Sequence, residues 1–362
     1  MVSEQRVHKI AVIPGDGIGT EVTAATLEVL HTVERCVGSF QLQLTEFDWS
    51  SEKYLGKGFY IPENGLTSLA THDAILMGAV GSPTVSDHIS LWGLLLPIRK
   101  SLNQFVNVRP VRMLPGVSSP LRRCKDGDID WVIVRENSEG EYAGQGGISH
   151  PDSSNATATE VAIFTRIGIE RTMRFAFETA RSRDRKKLTL VTKSNAQRYG
   201  MVLWDRVFES LQSEYPEISC DKMLVDAMTV RMVQNPRSLD TIVATNLHGD
   251  IISDLAAALA GSIGIAPSSN LDPTRQHPSM FEPIHGSAPD IAGKGLANPL
   301  GMIISAIEML KWLGEKEASD KILTAINLVT VSQILTRDLG GTATTKEVTE
   351  AIIRSLVYSE QS

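Results

Sequence analysis

Apolar positions along this chain fall into two kinds of run. Short continuous runs alternate with longer stretches in which apolar residues recur three and four apart. Residues 9–17, KIAVIPGDG, read as a strand ending in a tight turn. Val22, Ala25, Val29, Leu30, Val33 and Val37 then keep helical spacing, which predicts a helix of roughly 16 residues. Residues 74–77, 131–136, 187–193 and 240–246 read as further strands, the last running straight into an apolar segment headed by Asp250. Helices are predicted over 161–183, 300–313 and 346–357. Strands alternating with helices define an α/β fold.

At 362 residues the chain exceeds one ordinary core, and its length suggests about two to three domains. No repeat, low-complexity tract or long linker separates them. Domains built from non-adjacent segments and packed across a cleft are therefore expected. Residues 138–159, rich in Gly and Ser, read equally as a protruding arm or a mobile loop.

Composition narrows the function classes. The chain is 42% hydrophobic and 21% charged with net charge −7, which fits a globular protein and counts against a nucleic-acid surface. Cys36, Cys124 and Cys220 are too scattered for a disulfide framework or a zinc site. No apolar signal region or membrane-length run is visible, so a cytoplasmic protein is expected.

Candidate chemistry starts with Asp250 and Asp254 in TNLHGDIISDLAAALAGS, residues 245–262. Positions i and i+4 share a helix face, and like charges there repel unless a cation lies beside them. Such oxygens suit Mg²⁺ or Mn²⁺, although a solvated first helical turn accounts for them as well. Arg99, Arg109 and Arg135 sit at element ends, and Arg135 closes an apolar strand where an unpaired charge is costly. Guanidinium forks match carboxylates in pairs, so a small dicarboxylic acid is a natural ligand. Lys193 ends another strand and is either a base or an ordinary exposed lysine. Tyr142, beside Glu139 and Glu141, is either a proton donor or a surface aromatic. The glycines of GDGIG (15–19) do not match G-x-G-x-x-G, which argues against a Rossmann fingerprint. Residues 281–301, FEPIHGSAPDIAGKGLANPLG, form too long a polar, turn-forming stretch to be a mere connector. There His285 and backbone N–H groups suit a nucleotide groove, and Asp290 suits ribose hydroxyls while repelling a 2′-phosphate.

With these pieces in place, the chain resembles the β-decarboxylating dehydrogenases, the family of isocitrate, 3-isopropylmalate, D-malate and tartrate dehydrogenases. IPGDGIGTEV, IRKSLNQFVNVRP, VRENSEGEYAG, TKSNAQ, VDAMTVRMV, NLHGDIISDLAAALAGSIGIAPS and EPIHGSAPDIAGKGLANP carry the resemblance in collinear order over nearly the whole chain. The resemblance implies a non-Rossmann fold of two α/β domains around a cleft. A large cofactor-binding domain would take 1–104 plus 261–362, and a small domain 105–260, with 138–159 as a dimerisation arm. It implies that Arg99, Arg109 and Arg135 bind substrate carboxylates, and that Asn195 of TKSNAQ also binds substrate. Asp250 and Asp254 would hold Mg²⁺ or Mn²⁺, joined by Asp226 of the other subunit. Lys193, also across the dimer, would be the general base and Tyr142 the proton donor after CO₂ loss. His285, Gly286, Ser287, Ala288, Asp290, Ile291 and Asn298 would bind the cofactor. NAD is implied, because relatives using NADP carry Lys and Tyr in place of Asp290 and Ile291.

The segment SLWGLLLPIR resembles the D-malate and tartrate branch. Trp92 stands seven residues before Arg99, where isopropylmalate enzymes carry Glu, and it would close the pocket beside Leu95. The implied reactions are D-malate oxidation to pyruvate and CO₂, tartrate oxidation to oxaloglycolate, and meso-tartrate decarboxylation to glycerate. Relatives of this branch also use a monovalent cation such as K⁺. The alternatives are a 3-isopropylmalate dehydrogenase and a non-catalytic regulatory subunit of the same fold.

Overall fold

A computed structural model describes residues 5–358. In chain order its strands are β1 (Arg6–Gly15), β2 (Phe40–Glu46), β3 (Ala74–Ala79), β4 (Val106–Arg112), β5 (Asp130–Glu136) and β6 (Gly140–Ser149). There follow β7 (Thr157–Ile163), β8 (Lys187–Thr192), β9 (Ser219–Leu224), β10 (Thr241–Ala244), β11 (Pro267–Leu271) and β12 (Ser279–Pro283). One sheet of ten strands runs in the order β2-β1-β3-β12-β11-β4-β5-β10-β8-β9, and β6 pairs with β7 in a separate hairpin. The flanks are parallel, whereas β11 and β4 are antiparallel to both neighbours. This mixed order agrees with the absence of a Rossmann fingerprint.

Strand alternation sorts the side chains onto two faces. On β1, Ile10 and Val12 enter one apolar cluster, and Ala11 and Ile13 enter another on the opposite face. On β5, Val132 and Val134 pack with Phe177 and Trp204, while Trp131 and Ile133 pack with Met228 and Ile252. Both faces of these strands are covered, which is why the runs are almost continuously apolar. The exception lies on one face at the centre. There Arg135, Asn107 and Asn270 stand opposite one another across β5, β4 and β11, and Ser268 stands opposite Glu282 on β12. A polar row thus separates two apolar clusters.

The periodic helix expected over 161–183 is shorter at its start. Residues 161–163 belong to β7, and the helix spans Arg166–Ser182. The Thr165 hydroxyl accepts from the Gly168 N–H, and Glu139 Oε2 accepts from the Thr165 N–H at 2.8 Å, so the helix starts there. Residues 138–159 supply β6, the turn and the first part of β7, so of the arm and the loop that their composition left open the structure forms a hairpin.

In the GDGIG turn Gly15 and Gly17 take positive φ of 74° and 57°. The Asp16 carboxylate accepts from Ser51 N, Ser51 Oγ and Gly81 N at 2.6–2.8 Å. A Cβ on Gly17 would lie 2.1 Å from the Ser287 carbonyl oxygen, which accepts from Ile18 N. The turn therefore seats the 285–288 loop. Among the described residues no helix is long and apolar enough to cross a membrane.

Candidate active site

Three arginines from three elements converge over the polar row. Arg99 comes from the Leu96–Ser101 helix, Arg109 from β4 and Arg135 from the end of β5, and all are buried. Buried guanidiniums need anionic or oxygen partners. Arg99 Nη2 donates to Glu282 Oε1 at 2.7 Å. Arg109 Nη1 donates to Ser253 Oγ at 2.6 Å and lies 3.0 Å from Asp250 Oδ1. Arg135 Nε donates to the Asn246 carbonyl at 2.8 Å, and its Nη2 donates to the Tyr142 hydroxyl. The three arginines, Glu282, Asp250 and Tyr142, together with Leu91, Leu95 and His285, line a cavity of about 200 Å³.

Asp250 and Asp254 ride the first turns of the Asn246–Ala260 helix, capped by the Thr245 hydroxyl on His248 N. A Cβ at Gly249 would lie 2.8 Å from Arg135 Cγ, so only glycine lets this turn rest on that arginine. Both carboxylates are half-exposed. They differ electrostatically. Burial pushes Asp250 up, but Arg135, Arg109 and Arg99 outweigh it and hold the carboxyl below its ordinary range. Asp254 is raised, first by burial, with the Asp250 charge adding to it against Arg109. Arg109, desolvated and beside Arg135, is pushed down to about 10. The cluster accordingly favours added negative charge on its arginine side.

Two hard oxygen donors one turn apart and open to solvent are the donor set a Mg²⁺ or Mn²⁺ ion takes. Among the described residues no three His, Cys, Asp or Glu side chains gather into a metal site. Asp226 lies elsewhere, in the first turn of the Val225–Gln234 helix, where Lys193 Nζ meets its Oδ1 at 2.5 Å. That lysine hydrogen bond holds the Asp226 carboxyl low. Neither Lys193 nor Asp226 lines the arginine cavity. One chain thus offers two carboxylates of an expected three, with the Lys193–Asp226 pair set apart.

A second cavity of about 300 Å³ adjoins the first, and His285 lines both. Its walls include Ile18, Ile263, Ala288, Ile291 and Leu296, with Ser262, Asn298 and Asp338 as polar edges. Asp338 Oδ2 accepts from Ser262 Oγ at 2.6 Å and from Asn298 Nδ2 at 2.9 Å. His285 Nδ1 donates to the Gly286 carbonyl, burial lowers its pKa, and its Nε2 is buried without a partner. An apolar slot with polar edges and a spare acceptor fits a nucleotide base.

The family described as isocitrate/isopropylmalate dehydrogenase matches residues 9–352. The chain belongs to that family. It is therefore an oxidoreductase. A probable tartrate dehydrogenase/decarboxylase of Agrobacterium vitis is 56% identical, over 98% of this chain and 99% of its own length. The D-malate dehydrogenase [decarboxylating] of Escherichia coli (strain K12) is 46% identical, covering 97% of this chain and 99% of its own. The crystal structure of isocitrate dehydrogenase from Methylococcus capsulatus superimposes with TM-score 0.86 at 34% identity, over 96% of this chain and 99% of that one.

In this dehydrogenase the expected residues are not all gathered. Arg99, Arg109, Arg135, Tyr142, Asp250, Leu95, His285 and Gly286 line the first cavity, and Asp254 lies one turn beyond. His285, Ala288, Ile291 and Asn298 line the second. Trp92 is not in the cavity wall. It is 41% exposed, and a Cβ on Gly144 of the arm would meet its ring at 2.8 Å. Leu91 lines the cavity on that side. The Leu91–Leu95 segment is a π-turn, and the register it sets turns Leu91 and Leu95 inward. Asp290 is exposed and lies outside the second cavity's lining, as Asn195 does for the first. Sequence reasoning missed Glu282, Ser253, Asn107, Asn270 and Asp338. The polar letters inside the short strands VNVRPVR and PSSNL were the available signal for Asn107 and Asn270.

Proposed function

We propose that this chain is an NAD-dependent, divalent-metal-dependent dehydrogenase of a small 2-hydroxy dicarboxylic acid. Its reactions are D-malate oxidation with decarboxylation to pyruvate and CO₂, tartrate oxidation to oxaloglycolate, and meso-tartrate decarboxylation to glycerate. The observation that carries this reading is the small cavity with three buried arginines and Asp250 on one wall. Tartrate and D-malate enzymes among its relatives support the substrate class.

Arg99, Arg109 and Arg135 bind and orient the two carboxylates, which replaces water by fixed donors. Asp250 and Asp254, with Asp226 of the partner subunit, would hold the cation, which when bound would supply Lewis-acid polarisation of the substrate hydroxyl oxygen. Lys193 of the partner subunit takes the hydroxyl proton, and the adjoining cavity of His285, Ala288, Ile291 and Asn298 would hold NAD⁺, whose chemistry there would be hydride acceptance. The carbon–carbon bond to the β-carboxylate then breaks, and Tyr142, hydrogen-bonded to Arg135, returns a proton to that carbon. The enzyme acts as a cytoplasmic homodimer, through the β6–β7 arm and the exposed apolar side chains Val230, Val233 and Ile251. Its units are 1–104 plus 261–362 and 105–260, and a K⁺ requirement belongs to the same reading.

A panel of D-malate, the tartrates, isocitrate and 3-isopropylmalate with NAD⁺ and Mn²⁺ tests the substrate. D-malate is expected to lead isocitrate and 3-isopropylmalate by at least about tenfold in kcat/KM. The apolar wall of Leu91 and Leu95 is the observation that favours 3-isopropylmalate instead. Efficient turnover of that acid without D-malate or tartrate oxidation would decide for it, and no NADH from any acid would decide for a regulatory subunit. In the second cavity, Asp338→Ala is expected to raise the KM for NAD⁺ about tenfold, since a charged hydrogen-bond acceptor is lost. The KM for D-malate should stay within about twofold, as Asp338 does not line the first cavity. Steady-state kinetics with each substrate varied in turn separates the two effects.

A further inference from the structure

Between Arg99 and Arg109 the sheet carries a row of buried amides that no step above uses. Glu282 Oε1 accepts from Arg99 Nη2 and from Asn270 Nδ2, both at 2.7 Å. Asn270 Oδ1 accepts from Asn107 Nδ2 at 2.9 Å, and Asn107 Oδ1 accepts from Arg109 Nε at 2.9 Å. Sheet register makes the row possible. Asn107 stands directly opposite Asn270, and Asn270 opposite Met280, two residues before Glu282 on the same face. Asn107 and Asn270 are fully buried, and neither lines the arginine cavity.

The row has a direction. A carboxylate only accepts hydrogen bonds, a guanidinium only donates, and an amide does one at each end. Glu282 at one end and Arg109 at the other therefore demand the same orientation of both amides. Turning either asparagine round sets oxygen against oxygen or N–H against N–H, which is costly where water cannot help. Apolar residues are the usual occupants of fully buried central-strand positions, so two asparagines here call for a task.

We infer that Asn107 and Asn270 are positioning residues: through Glu282 they lock Arg99 and Arg109 into one fork whose spacing suits the two carboxylates of the substrate. This rests on the reading that those arginines bind the carboxylates. Asn137 Nδ2 steadies the centre of the row by donating to the same Asn270 oxygen at 2.9 Å. The row gives substrate affinity a determinant that touches no substrate.

Asn270→Leu and Asn270→Asp in the full enzyme, with NAD⁺ and Mn²⁺, test this. Asn270→Leu is expected to raise the KM for the dicarboxylate about tenfold through misplaced arginines, leaving the KM for NAD⁺ within about twofold. Asn270→Asp sets two carboxylates face to face, and such a pair shares a proton. The protonated carboxyl at position 270 donates to Glu282 and accepts from Asn107, as the amide does. Its substrate KM should therefore fall back toward the parent value as the pH is lowered, a recovery absent from Asn270→Leu. A purely structural role would lower the melting temperature and move both KM values together, with no acid-side recovery. An unchanged substrate KM in Asn270→Leu, or an Asn270→Asp profile parallel to the parent's, overturns the proposal. If Asn270→Leu does not fold, the isosteric Asn270→Asp carries the test by itself. Arg109→Gln separates the two readings. If it raises the substrate KM while the position-270 variants do not, the row alone fails. If it too leaves KM unchanged, the carboxylate role of the arginines fails.

Discussion

Asp250→Asn is expected to lower kcat by about a thousandfold with D-malate, the equivalent of several kcal/mol of lost charge stabilisation. The side chain is the closest carboxylate to Arg109 and heads the pair proposed to bind the cation. An amide keeps its shape but removes the charge that a divalent ion requires. Wild-type enzyme stripped by a chelator should fall to a similar floor and recover when Mn²⁺ is added, whereas the variant should not. Stability is a different matter. Asp250 is half-exposed, so solvent screens its pairing with Arg109 and Arg135, and unfolding free energy should fall by no more than about 1 kcal/mol. Retained NADH binding, followed by fluorescence, would show that the cofactor cavity stays intact. A variant working like the parent, or chelator-treated enzyme at full rate, would remove the cation from the scheme.

Mixing two inactive variants should restore activity. Lys193 and Asp226 pair with each other and lie outside the cavity of Arg109, Arg135 and Asp250 in the same chain. If both act in a partner's site, Lys193→Ala and Asp250→Asn homodimers lack one essential group at each site. A mixed dimer then has one site with neither defect and one with both. Unfolding, mixing in equal amounts and refolding should give about a quarter of wild-type activity, because half of the dimers are mixed and each has one intact site. Activity that stays at the level of the separate variants would place Lys193 in its own chain's site. The same measurement tests dimerisation, since monomers cannot complement.

Much of this site was legible in residue order, and the illegible part has identifiable causes. Asp250 and Asp254 were legible because helical spacing is a local property, and the helix spans Asn246–Ala260 as its pattern implies. Arg135 stood out as a charge ending an apolar strand, and it is 1% exposed. Residues 161–163 misled because a short apolar run fits a helical turn as well as a strand, and only pairing with β6 decides. Asp338 was invisible because it meets Ser262 and Asn298 across long stretches of chain. Only the resemblance of SLWGLLLPIR to the D-malate and tartrate branch puts Trp92 in the pocket, and the π-turn over Leu91–Leu95 turns Leu91 and Leu95 to the cavity instead.

The sequence by itself determined the alternating elements, the two-sided burial of the strands, the paired carboxylates on one helix face and the kinship with a dehydrogenase family. These follow from periods of two and 3.6 residues and from collinear motifs, which need no knowledge of what lies across the sheet. Only the tertiary structure decided that Arg99, Arg109 and Arg135 share one cavity, that Glu282 joins Asn270 and Asn107 beneath them, and that Lys193 stands apart with Asp226. Those facts depend on which strands pair and in what register. Pairing is set by packing between segments more than a hundred residues apart, such as β4 against β11, and no local pattern encodes it.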